Sequence, residues 1–479
     1  MPNIPIAVAA GDGIGPEIMA VTLEILKAAK APLDIREVEI GENVYLRGQP
    51  TGIDPSTWDT IRASKAFLKA PITTPQGGGF KSLNVTIRTM LGLYANVRPC
   101  ISYAPYVETK HPEMDVVIVR ENEEDLYTGI EYRQSRDCYH ALKIISRTGS
   151  EKICRYAFEY ARNQGRKKVT CFTKDNILKI TDGAFHAIFT EISKEYPEIE
   201  SEHWIVDIGS AKLADTPEAF DVIVLPNLYG DILSDVAAQI AGSVGLAGSA
   251  NIGNGCAMFE AIHGSAPRRA GQDIANPSGL IQAAVLMLAH LGETNIAETI
   301  QNAWLKTLED GIHTYDIFKP SISKEKVGTK AFGRAVIERL GQKPSHLKAA
   351  AFSHPKAHAI PKEVQKESIE KTLKGVDIFI DWQQDVTSLH QALSSMPQSS
   401  LTLLQISNRG SRVWPVKAPE TICIDSWRCR YTAKGGNTTH ADIVQLLQEM
   451  ALANIDFTHT EHLYAFNGKA GYQLTQEEQ

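Results

Sequence analysis

Short apolar, β-branched runs alternate along the chain with stretches in which apolar positions return every three or four residues. This rhythm predicts buried strands followed by amphipathic helices. Ile4 to Ala10 is the first such run. It stops at Gly11-Asp12-Gly13-Ile14-Gly15-Pro16-Glu17, after which Ile18, Val21, Thr22, Ile25 and Leu26 repeat at helical spacing, so the segment reads strand, loop, helix. Pro16 suits a first helical turn, where its missing N–H would have no partner anyway, and Glu17 complements the helix dipole. Val116 to Val119, Val169 to Phe172 and Val222 to Leu225 are further strand-like runs beside helical patterns. The fold class expected is α/β, layered around a buried sheet.

The pattern changes after Leu340. A polar stretch containing Pro344, Pro355, Pro361, His346, His354 and His358 predicts a linker over 343–361. Beyond it, Val376 to Ile380 and Leu401 to Ile406 read as strands around a helix from Val386 to Leu393. A second helix from His440 to Ala453 completes a small C-terminal α/β domain, 362–479. Within it, His459-Thr460-Glu461-His462 reads as a solvated turn and Cys423 and Cys429 as buried thiols, in preference to metal ligands.

Composition narrows the function classes. The chain has 479 residues, 43% hydrophobic and 22% charged, which suits two or three globular domains. A net charge of −7 provides no general field for nucleic acid or anionic lipid, so neither is an expected partner. Seven scattered cysteines without a CxxC pair point to a reducing, cytoplasmic setting. No apolar run approaches the ~18 residues of a membrane span, and Leu280 to Leu291 reads as a buried helix.

Local anion sites must therefore carry any chemistry on charged ligands. A GxGxxG after a strand and a GxxxxGK[ST] are both missing, which disfavours standard Rossmann and P-loop sites; Gly11 to Gly15 alone could be a tight turn. The segment Lys69 to Arg88 holds three successive glycines, Gly77 to Gly79, followed by Lys81, Ser82, Asn84 and Arg88, a loop able to close over a polar ligand. Arg88, Arg98 and Arg120 lie in apolar or structured surroundings. A buried guanidinium needs an anion, either a polycarboxylate substrate or a structural partner such as Glu121, Glu123 or Glu124. Asp231 and Asp235 are one helical turn apart and could share Mg²⁺ or Mn²⁺. Phe259 to Pro277 combines small residues, His263 and the pair Arg268-Arg269, which suits an adenine and a phosphate.

Taken in this order, the segments resemble the metal-dependent β-decarboxylating dehydrogenases, the family of isocitrate and 3-isopropylmalate dehydrogenases, over about residues 4 to 340. The resemblance implies an isopropylmalate-dehydrogenase-like two-domain fold with a non-Rossmann cofactor site. Its large domain would be 1–103 with 250–342, and its small domain 104–249 would carry dimer contacts. Ser82-x-Asn84-x-x-x-Arg88 looks like the isocitrate branch, of the bacterial type with an added C-terminal domain. The implied reaction is the tricarboxylic acid cycle step that converts isocitrate to 2-oxoglutarate and CO₂ while reducing NADP. By the same resemblance, Ser82, Asn84, Arg88, Arg98 and Arg120 hold the substrate, and Tyr127 and Lys174 transfer protons. Asp207, Asp231 and Asp235 hold Mg²⁺ or Mn²⁺. Lys174 and Asp207 would come from the second subunit of an obligate homodimer with shared active sites. Thr73, His263, Gly264, Ser265, Ala266, Pro267, Arg268, Arg269, Asn276, Tyr315 and Lys319 would bind the cofactor. Arg268 stands where NAD-specific relatives carry an acidic residue, which favours NADP; Lys319, where an arginine is usual, keeps the charge without the fork. The alternatives are an NAD-dependent isocitrate dehydrogenase, a 3-isopropylmalate or tartrate dehydrogenase, and a non-catalytic regulatory subunit.

Overall fold

The expected runs become strands that are buried on both faces, which is why they carry so few polar residues. A computed structural model describes residues 3–73, 82–352, 368–397, 399–416, 420–433 and 436–474. The glycine loop and Lys81, and positions 353–361 of the expected linker, lie outside them. The chain divides into two compact units, residues 1–128 with 144–362, and 129–143 with 363–479.

In the first unit one ten-stranded sheet runs Leu33–Glu37, Ile4–Ala9, Ala66–Lys69, Ala257–Ala261, Gly248–Ile252, Ala95–Ile101, Asp115–Glu121, Val222–Leu225, Lys168–Thr173, Glu200–Ile205. The first four strands are mutually parallel, and so are the last four. The two blocks meet through antiparallel pairings of Gly248–Ile252 and Ala95–Ile101. Asn96 sits opposite both Arg120 and Asn251, and Glu260 opposite both Lys69 and Ser249. Because strand side chains alternate with period two, Lys69, Glu260, Asn251, Asn96, Arg98 and Arg120 project from one face of this seam. The opposite face sends Leu68, Phe259, Ala250, Val97 and Val119 into the main core. The buried helix is Ser278–His290, against which fully buried Trp304 packs, its indole N–H donating to the Ser278 hydroxyl at 2.8 Å. Among the described residues no helix is long and apolar enough to cross a membrane.

Two expectations change here. The first part of the 343–361 linker is fixed chain: the backbone N–H groups of Ser345, His346 and Leu347 donate to the Glu309 carboxylate, and Asn302 and Ala350 exchange hydrogen bonds of 3.1 and 2.8 Å. Residues 129–143, assigned by sequence to the small domain 104–249, belong to the second unit. They form a short hairpin, Glu131–Arg133 with Tyr139–Ala141, too small for a core of its own. Ser135 donates to Asp425 at 2.6 Å and His140 packs edge-on against Phe379.

The second unit holds a six-stranded, wholly antiparallel sheet. Helices Val386–Ser394 and His440–Leu452 share its core through Leu389, Leu393, Ile443, Leu446 and Met450. Asp385 caps the first helix, and a reciprocal Thr439–Asp442 capping box starts the second. His459 to His462, read from sequence as a turn, lies within strand Phe457–Phe466. A β-branched and aromatic stretch outweighs its polar residues there.

Candidate active site

The three arginines arrive from three elements. Arg88 ends the helix Leu83–Met90, which begins at Ser82. Its guanidinium pairs at 3.0 Å with Glu260, which also takes the buried Lys69 ammonium at 2.7 Å and the Asn251 amide at 2.9 Å. Burial opposes ionisation of Glu260, but Lys69 and Arg88 override it and hold the carboxyl well below its usual range. Arg98 donates to Asn96 and Ser234, both at 2.6 Å, and reaches Asp231 at 3.3 Å and Asp235 at 3.5 Å. Arg120, 1% exposed, is held by Asn227 through its carbonyl and side chain, and by the Asp231 carboxylate. Burial, then the charges of Arg98 and Arg88, pull its pKa down to about 9. Glu121, Glu123 and Glu124, the structural alternatives, take none of these arginines. Glu121 instead accepts the backbone N–H groups of Glu123 and Glu124, and burial pushes its carboxyl up to about 7.

Tyr127 stands on the single turn Leu126–Thr128, with its hydroxyl donating to Asp231 and its ring 4.7 Å from the Arg120 guanidinium carbon. Burial, then the bond to Asp231, raises the phenol, so Tyr127 keeps its proton at neutral pH. Asp231 and Asp235 lie on Asn227–Ala241, the helix that follows strand Val222–Leu225 and ends at Gly242, whose φ of 146° suits only glycine. Against the effect of burial, Arg120 and Arg98 hold Asp231 below the usual carboxylate range, whereas burial raises Asp235. Lys174 and Asp207 form a separate pair, 2.7 Å apart, Asp207 in the first turn of helix Val206–Asp215. Among the described residues, no cluster of potential metal ligands contains Asp207 with Asp231 and Asp235. One chain therefore gathers Arg88, Arg98, Arg120, Tyr127, Asp231 and Asp235, and keeps Lys174 with Asp207 elsewhere.

A cavity of about 380 Å³ is lined by His263, Gly264, Ala266, Arg269, Asn276 and Tyr315, six of the residues expected to bind a cofactor, together with Ile14, Ser243 to Gly245, Ala275 and Asp316; Thr73, Ser265, Pro267, Arg268 and Lys319 do not line it. Asp316, missed by sequence reasoning, fixes this wall by accepting from Asn276, Ser243 and Thr314 at 3.0, 2.8 and 2.6 Å. Gly13, with φ of 59°, lies so close that a Cβ would come 2.1 Å from the Ser265 carbonyl. The Gly11–Gly15 segment is thus a tight turn that straps the first helix to the cofactor loop. Thr73 meets Ser265 hydroxyl to hydroxyl at 2.7 Å, and its backbone N–H donates to Asp12 at 2.8 Å. Arg269 stacks on Tyr315 and donates to its hydroxyl. Lys319 pairs with Glu108 at 2.7 Å, both side chains half in water.

Two features test the fit of absent groups. The Asn84 carbonyl oxygen, Arg88 Nε and His263 Nε2 are buried atoms without a hydrogen-bond partner among the described residues, and each is a site residue. Burial also keeps His263 neutral, so Nε2 can accept from an adenine amine. The all-carboxylate set of Asp231, Asp235 and Asp207 suits a hard divalent cation.

A profile of the isocitrate/isopropylmalate dehydrogenase family matches residues 5–336, and one of the bacterial isocitrate dehydrogenase C-terminal domain matches 371–478. The chain is 52% identical to the NADP isocitrate dehydrogenase of Rickettsia bellii, over 99% of each chain. The crystal structure of TT0538 protein from Thermus thermophilus superposes with a TM-score of 0.92 at 40% identity, over 99% of this chain and 96% of that one. Isocitrate dehydrogenase from Methylococcus capsulatus does so with 0.67 at 43% identity, over 71% of this chain and 100% of that one.

Proposed function

Because the chain belongs to the isocitrate/isopropylmalate dehydrogenase family, we propose that it oxidises isocitrate with NADP and decarboxylates the product to 2-oxoglutarate and CO₂. The observation that carries this reading is the cluster in which, among the described residues, Lys69, Arg88, Arg98 and Arg120 meet the carboxylates of Glu260, Asp231 and Asp235 and no others. The cationic surplus suits a polyanion. Ser82 and Asn84 face the carboxylate that isopropylmalate lacks, and the unpartnered Asn84 oxygen favours a ligand with a hydroxyl or protonated group near it.

Arg88, Arg98 and Arg120 grip the carboxylates, their own partners locking each guanidinium before substrate arrives. Lys174 as the neutral amine takes the proton of the 2-hydroxyl, and Asp207 pairs with the ammonium that results. Tyr127, kept protonated by burial and Asp231, delivers a proton to carbon after CO₂ leaves. Asp231 and Asp235, with Asp207 of a second copy, would hold Mg²⁺ or Mn²⁺, which when bound supplies Lewis-acid stabilisation of developing negative charge, while NADP accepts the hydride. The separation of the Lys174–Asp207 pair from Tyr127 and Asp231 supports an obligate homodimer in which each site draws on both subunits. Arg268, Arg269, Tyr315 and Lys319 stand for the 2′-phosphate. Seven free cysteines suit a cytoplasmic setting.

Purified homomeric protein should turn over isocitrate with NADP far faster than 3-isopropylmalate, tartrate or the NAD pair, and only with divalent metal. Inactivity of the homomer would sink the catalytic reading. Coexpressed Lys174→Met and Tyr127→Phe chains, each impaired alone, should recover decarboxylation in mixed dimers; no recovery would refute shared sites.

A further inference from the structure

Three side chains, none of them assigned above, converge beside the Lys174–Asp207 pair: Asp175, which follows Lys174 directly, His186 on helix Thr181–Ser193, and His203 on strand Glu200–Ile205. One Asp175 carboxylate oxygen lies 2.7 Å from His186 Nδ1 and 3.8 Å from His203 Nε2. One ligand-capable atom of each residue falls within 4.8 Å of the others, the single such trio among the described residues. The two imidazoles stack, centroids 3.5 Å apart and planes within 12°. The Thr173 hydroxyl lies 2.8 Å from His203 Nε2.

We propose that Asp175, His186 and His203 form a second cation site, one that takes a borderline transition metal such as Zn²⁺ in preference to Mg²⁺, with water completing the shell. Spacing is the first support. A tetrahedral ion with bonds of ~2.0–2.1 Å needs ligand atoms about 3.3 Å apart, and the observed 2.7 and 3.8 Å bracket that value. Because imidazole lone pairs lie in the ring plane, the two rings must turn out of their stack to aim at one ion, and the rotatable Thr173 hydroxyl can yield Nε2. Chemistry is the second. Each imidazole brings one nitrogen, His186 Nδ1 and His203 Nε2, to the same Asp175 carboxylate oxygen. The neutral ring is the form that ligates. Imidazole nitrogen selects zinc, copper or nickel over magnesium, whereas the all-oxygen aspartate set selects the reverse. Access is the third: the three side chains are between 19% and 31% exposed, so an ion and its water can enter. The plain alternative is an Asp–His hydrogen bond capped by a stacked ring, and it binds no metal.

Calorimetric titration of the full-length protein with Zn²⁺, in excess Mg²⁺ to occupy the aspartate set, should show one Zn²⁺ per chain. Co²⁺ in its place should give the visible absorption of a low-coordinate, nitrogen-containing site. Binding to the folded chain only should also raise the unfolding temperature. All three signals should vanish in His186→Gln and in His203→Gln, and persist in Asp231→Asn and in the double variant His459→Ala, His462→Ala. Wild-type protein that takes no Zn²⁺ above Mg²⁺ overturns the proposal. So does retention of binding in His186→Gln, whose partly exposed side chain makes misfolding a minor concern, or loss of binding in either control.

Discussion

Arg120 is 1% exposed and meets Asn227, Asp231 and the Tyr127 ring, whereas Arg268 and Arg269 stand exposed on the 3-10 turn Pro267–Arg269 beside the cofactor cavity. Arg98 and Arg120 are built into the sheet seam with their counter-charges, so their positions are set when the chain folds. Arg269 leans on the Tyr315 ring and Lys319 on Glu108, both in water, so their charge stays available for exchange with an anion. Buried charge here fixes geometry at the expense of tolerance; exposed charge leaves specificity adjustable.

The contrast can be broken most directly at Arg120. Arg120→Met should lower kcat/KM for isocitrate by at least ~10³ and destabilise the fold by about 3–5 kcal/mol in urea unfolding, because Asp231 and Asn227 lose a buried partner. A stable, inactive variant would show that the pocket is not part of the folding core. Glu260→Gln should cost about 3 kcal/mol at neutral pH by stranding Lys69 and Arg88. Since the Glu260 carboxyl is depressed in the folded chain, its contribution is complete above 4.5, the ordinary glutamate value, and declines as pH falls below it. Thermal unfolding of the two proteins should therefore converge only in that acid range; a constant gap down to pH 2 would remove Glu260 from the role.

Smaller effects belong to the exposed side. Arg268→Asp should reduce kcat/KM for NADP by ~10–100-fold and raise that for NAD, with unfolding unchanged within ~0.5 kcal/mol. A fall in stability as large as that of the seam variants would erase the distinction. Lys319→Arg should lower KM for NADP by no more than about fivefold, an effect that fades with added salt, as exposed ion pairs do. A salt-independent gain would mean that position 319 is less solvated than its pair with Glu108 indicates.

Much of this was legible in the chain. Strands at Val116 to Val119 and Val222 to Leu225, the three arginines and the Asp231/Asp235 turn announce themselves by local pattern, whereas Tyr127 and Lys174 follow only from the family resemblance. Glu260, Asn227, Asn251 and Asp316 do not, because their roles depend on register between strands distant in sequence. A signal existed for one pair: Lys69 and Glu260 are charges inside otherwise apolar strands, and each demands an opposite partner. Hairpin 129–143 misled for another reason. Its affiliation is decided by Asp425 and Phe379, about 290 and 240 residues beyond their partners Ser135 and His140, which no local pattern reveals.

The row Lys69, Glu260, Asn251, Asn96, Arg98 and Arg120 on one side of five neighbouring strands also acts as a proofreading device for assembly. Slipping one strand by a single residue would turn its polar members into the aliphatic layer formed by Leu68, Phe259, Val97 and Val119, so misaligned sheets are rejected by charge as well as by shape. The charged row of the candidate site thereby also certifies the pairing of the strands that carry it.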